Sequence, residues 1–172
     1  MSREFPDQVN PWTAAEGRRV FTGTLPLARM KRLAPLLASE EGVCRFEARF
    51  ALDDEGFATI DLEVEAEVSL VCQRSLKPYA ERLARRSLLA VVEDEAGQEV
   101  LPDHYDPVLA AEGTVRFLDL VEDELLLAMP VVPRNPALGW DDVVSTDGSP
   151  GEEDEPGGPF SGLADLMSGR ER

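Results

Sequence analysis

Two cysteines, one histidine and an aromatic fraction of 6% leave little of the usual reactive chemistry in this chain of 172 residues. Cys44 and Cys72 are too few for a disulfide framework. Both fall at the apolar positions of alternating runs, which reads as two buried thiols. His104 stands alone in an acidic stretch, so no Ser/His/Asp or Cys/His set can be built on it. Cys72-Gln73-Arg74-Ser75 has the spacing of a Cys-x-x-Cys knuckle, but Ser75 occupies the second position. Structural zinc wants four ligands, and no metal or cofactor is expected. The glycines of the folded part are isolated, which excludes a phosphate-cradling loop. No apolar run approaches the roughly 20 residues of a membrane span. The start, MSREFPDQVN, has no apolar signal core, so a cytoplasmic protein is expected.

Positive charge is also scarce, and unevenly so. The net charge is −17. Residues 1–92 carry 13 Lys/Arg against 14 Asp/Glu, whereas residues 93–172 carry 4 against 20. The first half can approach RNA or an acidic surface. The second half is repelled by both and can attract a basic protein or simply confer solubility.

What is present is a clear strand alternation. From Ile60 to Cys72 every even position is apolar, with Asp61, Glu63, Glu65, Glu67 and Ser69 between them. A period of two predicts a long strand with one buried and one wet face. Val43 to Leu52 alternates in the same way, and Asp53-Asp54-Glu55-Gly56 forms the turn between the two. Arg82 to Val92 supplies a third strand. Residues 43–92 are therefore expected to form a three-stranded antiparallel meander with a cationic hairpin tip.

Around it, Asn10-Pro11 starts a short helix ended by Gly17, since Asn caps well and Pro suits the first turn. Arg18 to Leu25 has strand propensity. Leu27, Met30, Leu33, Leu36 and Leu37 form a helical stripe, kinked or broken at Pro35. Glu93 to Gly113 has seven acids and no Lys or Arg, and reads as a long loop. A helix is expected from Asp119 to Met129, with Asp119 as cap and Glu122 at the reciprocal capping position. Glu122, Asp123 and Glu124 would answer the helix dipole. As neighbours on a helix they diverge and make a poor metal site. Residues 134–158 read as a disordered acidic linker. Phe160, Leu163, Leu166 and Met167 in the terminal segment 159–172 could share one helix face and dock on this domain or on a partner.

The sequence thus predicts one α+β domain over 10–133, an antiparallel meander packed with helices; a partly open barrel is the alternative closure. Its candidate binding surface is the hairpin: Arg74, Lys77, Arg82, Arg85 and Arg86, with Tyr79 as an aromatic face. Cations beside an aromatic suit phosphate contact and base stacking. The plain alternative is a charged hairpin that keeps a strand edge soluble.

The blocks LVCQRSLKPYA at 70–80, LPDHYDPV at 101–108, FLDLVEDELLLAMPVVP at 117–133 and PFSGLADL at 159–166 resemble the YceD family, described as large ribosomal RNA subunit accumulation proteins. The blocks come in the family's order, and the helix block is the most specific. The resemblance implies a non-enzymatic role in 23S rRNA synthesis, processing or stability, with 23S rRNA or a pre-50S particle as partner. It brings no catalytic residues. Many members carry a second Cys where this chain has Ser75, so no thiol or zinc role carries over. The other readings are an acidic escort for a basic ribosomal protein and, further off, a metal-dependent nuclease built on convergent carboxylates.

Overall fold

A computed structural model describes residues 5–110 and 112–138. Beyond its first five residues, the expected acidic linker lies outside the described residues, as does the C-terminal motif. The elements in chain order are β1 (Gln8–Val9), α1 (Pro11–Glu16), β2 (Val20–Pro26), β3 (Val43–Leu52), β4 (Ala58–Val71), β5 (Pro78–Val92), α2 (Glu95–Gln98), β6 (Asp106–Leu109), β7 (Val115–Arg116) and α3 (Phe117–Ala128). Two 3-10 turns, Leu27–Arg29 and Ala34–Leu36, lie between β2 and β3.

The fold is α+β. Five strands lie in the order β2-β3-β4-β5-β6, antiparallel except for the last pair. The expected meander is β3-β4-β5. The sheet stays open, with β2 and β6 at its edges, and is not a closed barrel. A second ladder pairs β1 with β7.

Alternation decides which face is buried. Cys44, Phe46, Ala48 and Phe50 on β3, and Ile60, Leu62, Val64, Ala66, Val68 and Leu70 on β4, all point inward. α1 and α3 pack over this face. Asn10 caps α1 as expected, accepting the Thr13 amide through its side chain at 3.0 Å. Phe117 sits at the centre of the core with no exposed surface. Its ring lies 5.2–6.2 Å from those of Phe5, Phe21, Phe46 and Phe50. Gly23 of β2 has no side chain because the Phe5 ring lies where a Cβ would be.

Four sequence expectations are corrected. The stripe over 26–37 is not a helix. Leu27, Met30 and Leu33 are buried as the spacing implied, but Leu27 lies on the first of two separate 3-10 turns, and Met30 and Leu33 lie in the segment between them. Pro35 forbids a continuous helix, and the amides of Arg32 and Leu33 bond a carboxylate instead of helix carbonyls. α3 begins two residues before Asp119: β7 runs straight into it, and Arg116 at its cap position makes no side-chain cap bond. Asp119 pairs instead with Arg116 at 3.5 Å. Third, Glu122 does not close a capping box; it reaches across to Arg32 and Leu33. Finally, the acidic loop contains α2 and β6. β6 pairs parallel with the end of β5, where Leu89, Ala90, Val91 and Val92 are all buried. That run is apolar at both parities, the mark of a strand covered on both faces.

Candidate nucleic-acid interface

The six hairpin residues do not form one patch. Strand parity puts Arg82 and Arg86 on the solvent face of β5 and Arg85 on the opposite face, against α3. Rise along a strand is about 3.3 Å per residue, so Arg86 lies roughly 25 Å from Pro78 at the turn. Each of the three is engaged. Arg82 meets Glu65 at 2.9 Å, and Arg86 holds Asp61 through two bonds of 2.8 and 2.7 Å. Both are diagonal cross-strand pairs. The Arg86 guanidinium holds the Asp61 carboxyl below its ordinary range, and that bond in turn raises Arg86. Arg85 donates to Glu124 at 2.7 Å, and the Ser87 hydroxyl bonds the same carboxylate oxygen at 2.5 Å. Tyr79 is only 8% exposed, so the aromatic face expected at the tip is turned into the protein.

The tip itself is the turn 72–77. The Leu76 amide donates to the Cys72 carbonyl at 2.8 Å, and the Cys72 amide to the Lys77 carbonyl at 3.0 Å. Lys77 is exposed and Arg74 half-buried. Leu76 adopts φ 55°, a left-handed conformation that costs an L-residue about 1 kcal/mol, and its side chain is 73% exposed. The segment after α3 runs beneath this turn. The Gln73 amide donates to the Pro133 carbonyl at 2.9 Å, and the Asn135 amide to the Cys72 Sγ at 3.4 Å.

Both cysteines are buried and unbridged, in opposite environments. Burial pushes the Cys44 thiol up to about 12. The Ser75 hydroxyl and the amides of Asn135, Ser75 and Arg74 bring Cys72 down to about 6. A folded-state value below the unfolded one stabilises the fold fully above about pH 9; this contribution disappears as pH falls through about 6. Cys72→Ser should therefore lower the urea midpoint most at pH 9, with the gap to wild type narrowing below pH 6 to the pH-independent cost of replacing a buried thiol. A gap that does not change with pH would show that the thiolate contributes nothing.

Glu122 and Asp123, the carboxylates on which a nuclease reading would rest, both face Arg32, at 3.0 and 2.5 Å. Among the described residues no group of three or more His, Cys, Asp or Glu side chains could hold a metal ion. Nor, among them, is any helix long and apolar enough to cross a membrane. A cleft of about 720 Å³ lies between β6 and α3. Asp106, Glu112, Asp119, Asp123 and Glu124 line it, together with Leu109 and Leu127.

The described residues thus form an open α+β sheet with one helix-covered face and a cationic turn at one end. The chain belongs to the YceD family: the family model described as "Large ribosomal RNA subunit accumulation protein YceD" matches residues 60–167. A Haemophilus influenzae protein of that name is 28% identical over 133 residues, which cover 77% of this chain and 76% of that protein. No solved structure matches the chain.

Proposed function

We propose that the chain is a non-enzymatic factor supporting 23S rRNA accumulation during large-subunit assembly, and that it contacts the RNA through the β4–β5 turn. Membership of a family named for that process supports the first part. The observation that carries the second is the turn's charge: residues 68–80 contain Arg74 and Lys77 and not a single acid, in a chain of net charge −17. Arg82, Arg85 and Arg86 already neutralise carboxylates of the fold and are framework cations.

Cations that meet phosphates release counterions, so affinity falls with salt. Replacing Arg74 and Lys77 together with Ala should weaken binding to transcribed large-subunit rRNA and reduce the salt slope, by about 1 for the exposed Lys77. Arg82→Ala, with its charge committed to Glu65, should change the slope far less. The reading fails if the double variant binds RNA like wild type and restores 23S rRNA levels in a deletion strain equally well.

The β6–α3 cleft favours a second reading, an escort for a basic ribosomal protein. Five carboxylates and one arginine, Arg116, line it, and four of the five, Asp106, Asp119, Asp123 and Glu124, already meet arginines of the fold. On that reading, loss of Glu112 weakens capture of the basic partner, while the Arg74/Lys77 variant leaves it intact.

A further inference from the structure

Among the acid-free stretches of the chain, which include 17–39, the two at 68–80 and 125–140 are far apart in sequence, and the fold joins them. The Gln73 amide to Pro133 carbonyl bond and the Asn135 amide to Cys72 Sγ bond fix the post-helix segment against the hairpin turn. This end of the molecule therefore presents Lys77 and Arg134, both exposed, beside the half-buried Arg74. It also presents apolar side chains with no core to pack in: Leu76 at 73% exposure, Val131 at 100% and Val132 at 48%. Leu76 keeps a branched side chain in a left-handed turn position where glycine would be unstrained, and that side chain points into solvent.

We infer that the RNA surface of this protein is built from both segments, with Arg134, Val131 and Val132 acting together with Arg74, Leu76 and Lys77. This rests on the proposed contact between the turn and rRNA, and it adds a second strip of surface and a defined RNA chemistry. Lys77 and Arg134, both exposed, fit neighbouring phosphates, with Arg74 beside them. Three exposed aliphatic side chains on the same two segments can pack on the base faces of unpaired nucleotides, which a duplex hides in its stack. The occupant is thus an unpaired, backbone-accessible segment of RNA.

The test uses full-length protein and short transcripts of large-subunit rRNA, single-stranded or base-paired, over a range of salt. Arg134→Ala should lower affinity for the single-stranded probe roughly three- to tenfold and reduce the salt slope by about 1, as loss of one phosphate contact requires. Val131→Ser with Val132→Ser should lower affinity while leaving the slope unchanged, because no counterion is involved. Both sites are exposed, so folding should survive; unchanged urea midpoints check this. Loss of binding in the Arg74/Lys77 variant but not in Arg134→Ala or the valine pair would overturn the inference and leave the proposed function standing. No loss in any variant would overturn both. Equal affinity for paired and unpaired probes would overturn the assigned RNA chemistry. Loss of a bound ribosomal protein, with RNA binding intact, would assign the surface to a protein instead.

Discussion

Phe117→Ala should cost the domain about 3–5 kcal/mol, the range for emptying a fully buried aromatic site. The ring is completely enclosed and touches four other phenylalanine rings. Those rings come from the N-terminal segment, β2 and β3, so a cavity there loosens several elements at once. Relaxation cannot fill it cheaply. Phe5 is already pressed on Gly23, and Phe46 and Phe50 are held in register by β4. Aromatic pairs add about 0.5–1.5 kcal/mol beyond area, so Phe117→Leu should still cost something, though less than Ala. Urea unfolding of the two variants, compared at a common slope, checks this. A loss below about 1.5 kcal/mol for Phe117→Ala would mean that the cluster is not the keystone of the core.

Glu122→Ala should be the largest polar effect, about 3 kcal/mol, since removing the carboxylate strands two backbone donors beside the core at about 1–3 kcal/mol each. Glu122 is almost wholly buried and accepts the Arg32 amide at 2.6 Å, the Leu33 amide at 3.1 Å and Arg32 Nε at 3.0 Å. The ion pair is the lesser part. The Arg32 side chain is half-exposed and also holds Asp123, so its charge remains solvated without Glu122. This ranking has a direct consequence: Arg32→Ala, which keeps its own amide, should cost much less than Glu122→Ala. Glu122→Gln should fall between them, because its single carbonyl oxygen can still accept. Hydrogen exchange at the Leu33 amide should rise sharply in the Ala variant. If Arg32→Ala matches Glu122→Ala and Leu33 stays protected, the backbone bonds are not what matters.

Glu122 also shows where local patterns lose their reach. Its position three residues after Asp119 fits a capping box, and local chemistry offers no reason to look further. The true partners lie about ninety residues back, in a segment whose apolar spacing mimics a helix. Once a carboxylate takes the Arg32 and Leu33 amides, a continuous helical ladder cannot run through them, and only short turns remain on either side. Strands β1, β6 and β7 are hidden for a related reason: each has two to four residues, too few for periodicity to register. The doubly buried run Leu89–Val92 is the hint of β6 that the sequence does carry.

Of the candidate surface, only part is legible in the sequence. Composition locates the cations, and strand parity alone separates Arg85 from Arg82 and Arg86. Neither shows which arginines are already engaged by carboxylates, nor that Tyr79 turns inward.

The sequence by itself determined the α1 cap, the long strands, the order in which they pair and their buried face. These follow from short-range rules: a period of two, a capping asparagine, a four-residue acidic turn. Only the tertiary structure decided that residues 68–80 meet the segment after α3 at one end of the molecule, and that Glu122 anchors a distant segment. Such pairings are set by which buried donors find acceptors when the whole core closes, and no local pattern encodes that closure.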